Sequence, residues 1–247
     1  MRIVILAAGY GTRLYPLTFN LPKPLVPING SPVIDFLIEK IRLLENHVSI
    51  KEIRVVCNNK FYPHFILWKK KSGTRATIVN DGSNTPEDRL GAIGDIGVAI
   101  GKTKDDWLIV GGDNLFEDPL VDFLRSAIRR GNAPVLGVHR LHNKKSASRF
   151  GVVRLDREGR IREFLEKPKE PPSALVASCI YYFPRTSLSY LERFLGEGHN
   201  TDASGKYIAW LARHTDVFGY VLTGRWMDVG QHDALRGAEK HFKLNKK

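Results

Sequence analysis

A loop of small residues and a few separated charges are the chemically suggestive features of this sequence. Leu6-Ala-Ala8-Gly9-Tyr-Gly11-Thr12-Arg13 follows a short apolar run at residues 3–6. Glycines in such a loop let the backbone approach an anion closely and aim amide N–H groups at it. Arg13 presents a planar fork that can span phosphate oxygens, and Lys23 adds a compact positive charge. Much later, Asp113 follows Gly111-Gly112 at the carboxyl end of an apolar run, where open α/β sheets bind ligands. A carboxylate there suits Mg²⁺, which takes one or two carboxylates together with substrate phosphates. Two familiar phosphate motifs are excluded. Leu14 stands where the dinucleotide fingerprint needs its third glycine, and GVAIGKT at 97–103 has three residues between its glycines where a P-loop has four.

The loop does not stop at Arg13. It runs on as Leu14-Tyr15-Pro16-Leu17-Thr18 and then Leu21-Pro22-Lys23-Pro24-Leu25-Val26-Pro27. This resembles the sugar-1-phosphate nucleotidyltransferases, the family of glucose-1-phosphate thymidylyl- and uridylyltransferases, whose pattern is G-x-G-T-R-L-x-P-x-T followed by P-K-x-L-x-P. Trp107-Leu-Ile-Val-Gly-Gly-Asp113-Asn114-Leu-Phe-Glu resembles that family's G-D-N block. Arg149-Phe-Gly151-Val-Val and Glu166-Lys167-Pro168 resemble its Y-G-V-V and E-K-P blocks, with Phe150 in place of Tyr. Trp226-Met-Asp228-Val-Gly230 resembles its W-x-D-x-G block, and Thr201-Asp202 echoes a T-D pair, although Asp202 also suits a helix N-cap. These ordered blocks span residues 3 to about 235.

The resemblance implies transfer of a nucleoside monophosphate from a nucleoside triphosphate to a sugar-1-phosphate, with release of pyrophosphate. It implies Arg13 and Lys23 as the catalytic charges, and Leu6, Ala8, Gly9, Gly11 and Thr12 around the nucleotide. Gly151, Glu166, Lys167 and Trp226 fall to the sugar phosphate, and Asp113 and Asp228 to Mg²⁺. For the nucleobase it points to Asn80, with Arg89 standing where the family has a glycine. An amide pairs with uracil or thymine and also with cytosine, so dTTP or UTP with glucose-1-phosphate leads and a cytidylyltransferase acting on another phosphorylated acceptor is the alternative. A non-catalytic nucleotide sensor predicts loss of charge at a motif position, yet Arg13, Lys23, Asp113 and Asp228 are all present. The acceptor phosphate is already an anion at neutral pH, so the chemistry needs no general base and none of the eight histidines.

The elements that must position these residues alternate. Strands are predicted at 3–6, 53–57, 76–79, 107–110 and 135–138, and helices after Ser31-Pro32 and at 119–130. Alternation of this kind implies parallel strands with right-handed crossovers. Beyond residue 140 the pattern changes to a hairpin around Asp156-Arg-Glu-Gly159. A strand at 174–183, helices at 186–195 and 202–213, a strand at 217–222 and a terminal helix after Gly230 follow. The expectation is one α/β domain over 1–247, a Rossmann-like mixed, mostly parallel sheet with helices on both faces. Its nucleotide-binding half is 1–140, its sugar-phosphate half 141–235, and 236–247 a basic C-terminal helix and tail.

Composition bounds the remaining classes. The 247 residues are 43% hydrophobic, enough for a large core. Two cysteines make no disulfide framework, and no apolar run approaches the ~18 residues of a membrane span. A cytoplasmic protein, monomer or homodimer, free of membrane and of specific nucleic acid, is expected. The net charge of +12, from 38 basic and 26 acidic residues, invites a nucleic-acid reading. The basic residues are scattered, however, and the stretch from Arg236 holds five against Glu239.

Overall fold

The structure is a computed structural model and describes residues 1–230 and 232–244. Its strands are β1 (Arg2–Leu6), β2 (Pro27–Ile28), β3 (Ser31–Pro32), β4 (Glu52–Cys57), β5 (Thr77–Asn80), β6 (Trp107–Gly111) and β7 (Asn114–Phe116). They continue as β8 (Val135–Arg140), β9 (Gly151–Leu155), β10 (Ile161–Glu166), β11 (Leu175–Phe183), β12 (Phe218–Leu222) and β13 (Trp226–Asp228). The helices are α1 (Val33–Glu45), α2 (Tyr62–Ser72), α3 (Gly91–Ile100), α4 (Leu120–Arg129), α5 (Leu188–Gly196), α6 (Ser204–Leu211) and α7 (His232–His241).

Among the described residues, nine strands form one mixed sheet. Its main order is β10-β9-β11-β6-β1-β4-β5, and β8 joins β11 to β12. β1 lies parallel between β4 and β6, and β5 extends that parallel half. β11 runs antiparallel to β6, β8 and β9, and β9–β10 is the expected hairpin. Side-chain alternation assigns the two faces. Ile3 and Ile5 pack with Leu37 of α1, Phe65 of α2 and Phe123 of α4. Val4 packs on the opposite side with Ile96 of α3, Leu191 of α5 and Ile208 of α6. Both faces are therefore covered, which is why β1 is apolar throughout its buried centre. The carboxyl end of β1 opens into the crevice between neighbouring crossovers, the ligand position of such sheets.

The structure corrects several local expectations. Ser31-Pro32 does not cap α1. Ser31 pairs with Ile28 across a two-strand hairpin, Pro32 stays extended, and the helix begins at Val33. The turn is Asn29-Gly30 with both residues at positive φ, the signature of a type I′ hairpin. α2 escapes periodicity because only Phe65 and Trp68 of it are buried and three lysines close it. α3 carries three glycines and still forms a helix because close packing requires them. Gly91 sits at φ +77° against the Asp202 backbone, and a Cβ on Gly97 would lie 2.7 Å from Leu195. The GVAIGKT segment is thus the last turn of α3 and the turn after it. Ala238 of α7 and Phe242 just beyond it pack onto Ile28, Val33 and Leu115. Lys246 and Lys247 of the expected basic tail lie outside the described residues. No helix among the described residues is long and apolar enough to cross a membrane.

Candidate active site

The loop after β1 is pinned from several sides. Gly112 N–H donates to Leu6 O at 2.8 Å, and Thr18 Oγ1 donates to Gly11 O at 2.7 Å. Asn58, fully buried beyond β4, donates through Nδ2 to Ala8 O at 2.8 Å and accepts from the Phe61 N–H at 2.9 Å. Gly11 sits at φ +65°, a left-handed conformation that glycine adopts at no steric cost. The result is a fixed rim whose residues Leu6, Ala8, Gly9, Gly11, Thr12 and Arg13 line a cleft of about 450 Å³. Lys23, Arg89 and Asp113 line it too.

Lys23 is the centre of charge. Buried after the Pro22 turn, its Nζ lies 2.5 Å from Asp113 Oδ2 and 2.9 Å from Asp228 Oδ1. The carboxylates are 115 residues apart in sequence, and a two-strand sheet joins them. β7 and β13 pair antiparallel with Asn114 opposite Asp228, and Val229 N–H donates to Asp113 O at 3.0 Å. Burial works against the Lys23 ammonium, but Asp113 and then Asp228 outweigh it and hold its pKa above the ordinary value. Burial and the Asp113 charge push the Asp228 carboxyl up, with Lys23 opposing. The two acids therefore converge on one cationic position. Hard oxygens in that arrangement suit a Mg²⁺-type ion that completes its shell with water and substrate phosphates. No group of three or more His, Cys, Asp or Glu able to hold a metal occurs among the described residues, so the donors here are this pair.

A second cleft of about 160 Å³ adjoins the first and shares Arg13 and Cys179 with it. Gly151, Glu166 and Lys167, from the β9–β10 hairpin and the residue beyond it, line this cleft with Arg149 and Asp228. Gly205 of α6 makes room for Glu166, since a Cβ there would collide with Oε2. Lys167 N–H donates to Phe150 O at 3.1 Å, which closes the hairpin over the site. Arg13, Arg149 and Lys167 give this cleft a cationic lining, a charge suited to an anion, and the Glu166 carboxylate offers hydrogen-bond acceptors.

Two expected residues stand elsewhere. Asn80 is exposed and outside both clefts; its amide donates to Asn59 at 2.7 Å and accepts from the Gly82 N–H at 2.9 Å, which closes a turn. Trp226 also lines neither cleft. It is buried, donates to Asn114 Oδ1 at 2.9 Å, and packs its ring on Phe150 and His139. Its work is to hold the β7–β13 pairing. Arg89 does reach the main cleft, as one half of an ion pair with Asp202, Nε to Oδ1 2.7 Å. Asp202 is accordingly no N-cap, and Ala203 occupies that position in α6.

Two cleft residues, Cys179 and Asp95, and the buried Asn58 behind the loop carry no signal in the sequence. Cys179 takes φ +54° at an irregularity in β11 and faces both clefts; burial and the Asp113 charge raise its thiol to about 12, which keeps it protonated and unreactive. Asn58 anchors the loop. Asp95, on the first turns of α3, is a buried carboxyl in the main cleft, pushed up to about 8 by burial and by Asp81. A single acid or amide inside an apolar helix or strand reads as an ordinary polar residue until the fold shows what it faces.

The sequence matches the Nucleotidyl transferase family model over residues 2–244, and the chain belongs to that family. It is 32% identical to the Bifunctional protein GlmU of Methanococcus aeolicus, over 99% of this chain and 55% of that protein. It is 31% identical to a bifunctional sugar-1-phosphate nucleotidylyltransferase/acetyltransferase of Sulfurisphaera tokodaii, over 94% of this chain and 53% of the relative. The chain thus spans about half the length of these curated relatives. The fold matches a Bacillus anthracis structure named as a glucose-1-phosphate thymidylyltransferase, with a TM-score of 0.85, 22% identity, and coverage of 100% of this chain and 98% of the other. A UDP-glucose pyrophosphorylase complexed with UDP-glucose matches at 0.78 with 18% identity, over 97% of each chain.

Proposed function

We propose that the protein transfers a nucleoside monophosphate from a nucleoside triphosphate to a sugar-1-phosphate. The observation that carries this reading is Lys23 held between Asp113 and Asp228, beside Arg13, where the two clefts meet. The main cleft takes the triphosphate, with the N–H groups of the Gly9–Thr12 turn toward its phosphates. The smaller cleft takes the acceptor, its phosphate near Arg13, Arg149 and Lys167 and its hydroxyls near Glu166. The main cleft draws on residues of 1–140 together with Cys179 and Asp202, and the acceptor cleft on residues of 141–235 together with Arg13. An acceptor phosphate oxygen attacks the α-phosphorus, a P–O bond forms, the α–β bridge breaks, and pyrophosphate leaves with its electron pair. Arg13 and Lys23 hold the charge that develops, and the clefts hold the reactants in line. Asp113 and Asp228 would hold a divalent cation, which supplies further neutralisation of phosphate charge when bound.

Relatives named for sugar-1-phosphate transfer, at 31% identity, and for mannose-1-phosphate guanylyl transfer, at 29%, support the acceptor class. Within it, the motif resemblance favours dTTP or UTP with glucose-1-phosphate. A pyrophosphate-release assay with Mg²⁺, a panel of hexose-1-phosphates and five triphosphates tests the reading. Release with at least one pair, lost in Asp113→Asn, is expected; no release with any pair contradicts it.

A further inference from the structure

The backbone that carries Lys23 is held in a tight turn. Pro22 and Pro24 flank the residue, Leu25 N–H donates to Pro22 O at 2.8 Å, and Val26 N–H donates to Lys23 O at 3.1 Å. From that turn a flexible four-carbon stem carries the ammonium, and Lys23 lines the main cleft of about 450 Å³. Nζ bridges Asp113 Oδ2 and Asp228 Oδ1 at 2.5 and 2.9 Å. The other oxygen of Asp113, Oδ1, accepts from Asn114 Nδ2 at 3.1 Å, so the ammonium holds the oxygen that Asp113 has left. Arg13 stands beside the same pair: a Cβ on Gly230 would lie 3.0 Å from Asp228 Oδ1 and 3.4 Å from Arg13 Nη2. A divalent ion bridging the two acids next to both side chains would gather four positive charges, two of its own and one from each, around two negative ones.

We propose that Lys23 is a displaceable counter-ion: its ammonium and a divalent cation are alternative occupants of the position between Asp113 and Asp228, and cation binding turns Nζ into the main cleft. The proposal rests on the reading of Asp113 and Asp228 as the cation-holding pair. A Mg²⁺-type ion needs carboxylate oxygens as ligands at about 2.0–2.1 Å, and the two oxygens that face each other here are the ones the ammonium occupies. Two cations on the same pair of oxygens repel strongly at such separations. The ammonium is the one able to leave, because rotation about the stem torsions moves Nζ while the proline-flanked turn stays in place. The cleft that Lys23 lines gives it the space. Lys23 thus neutralises the acid pair until the ion arrives, and only then becomes available to the phosphates of the triphosphate. Charge at the pair stays balanced at both stages.

The test uses Mn²⁺ alone, which takes the same carboxylate donors, with the full chain and neither nucleotide nor sugar phosphate. Calorimetric titration of Lys23→Met is expected to give a Kd about tenfold or more below that of the wild type, because no ammonium has to be displaced first. Asp113→Asn should lose the binding. A crystal structure of the wild type with Mn²⁺, located by its anomalous scattering, should show the ion between Asp113 and Asp228 and Nζ within hydrogen-bond distance of one carboxylate at most. An unchanged or weaker Kd in Lys23→Met, or an ion bound while Nζ still bridges both acids, would overturn the exchange and leave the cation site standing. Mn²⁺ that binds neither protein, or binds away from the two acids, would instead sink the assignment of Asp113 and Asp228, and the exchange with it. Circular dichroism shows whether Lys23→Met folds; if it does not, the wild-type structure decides.

Discussion

Lys23 concentrates the electrostatics of the site, because two carboxylates depend on one buried ammonium. Replacing it with methionine roughly keeps the length of the side chain and leaves Asp113 and Asp228 facing each other with only Arg13 to offset Asp228. Turnover is expected to fall by ~10²–10³, the usual cost of removing one preorganised charge from a transition state, with a smaller change in substrate KM. Steady-state kinetics of Lys23→Met checks this. Asp95 makes a different prediction, about stability. Its folded-state pKa, about 8, lies above that of an unfolded aspartate, so the folded protein binds the extra proton between those values. Stability from this group is fully present below about pH 4 and is lost as pH rises toward 8. The melting temperature of Asp95→Asn relative to wild type should therefore increase steadily across that window. A constant difference would contradict the assignment.

Among the elements, the β7–β13 pair does the most for function with the fewest residues. Asn114 accepts from the Trp226 indole and donates to Asp113 at 3.1 Å, so one amide ties both acidic strands together. Asn114→Ala leaves a buried indole N–H without an acceptor, which costs about 1–3 kcal/mol. With Asp113 and Asp228 proposed to hold a divalent cation, it should also raise the Mg²⁺ concentration needed for half-maximal activity, because Asp228 loses its register with Asp113. Chemical denaturation together with a Mg²⁺ titration of activity separates the two effects. Gly91 is the corresponding point in α3. Alanine there combines a left-handed φ with a collision against the Asp202 backbone, and the loss of stability should exceed the ~1 kcal/mol of an unstrained left-handed alanine. These elements also show where the sequence could be read. The loop, Lys23, Asp113 and Asp228 were legible because their residue types sit in ordered local blocks. The pairing of β7 with β13 was not, since it joins residues 112 apart with three-residue strands. Asn80 illustrates a related point: its amide suits a base reader by type, and the turn it closes with Asn59 and Gly82 is visible only in the fold.

Over the whole molecule, the basic residues behind the +12 charge are unevenly placed. Arg13, Lys23, Arg149 and Lys167 gather at the clefts, while Arg75, Arg193 and Arg225 are held in ion pairs elsewhere. On the proposed function, a field of this sign would draw polyanionic substrates toward the clefts and be screened by salt. Raising KCl from about 0.05 to about 0.5 M should increase KM for the sugar phosphate several-fold and change turnover much less. The parallel half of the sheet was visible in the alternation of apolar runs. The antiparallel joining of β11 to β6 was not, because one long apolar strand fits either direction until its neighbours are known.

The proposed reaction has an acceptor phosphate oxygen attack the α-phosphorus, with Lys23 and Arg13 holding the charge. Its most direct test is a reaction with sugar-1-phosphate carrying ¹⁸O in all of its phosphate oxygens, followed by mass spectrometry of the products. The expected product is a nucleoside diphosphate sugar that retains every labelled oxygen, one of them in the new bridge, with unlabelled pyrophosphate. Label in pyrophosphate, or free orthophosphate in place of the diphosphate sugar, would contradict it.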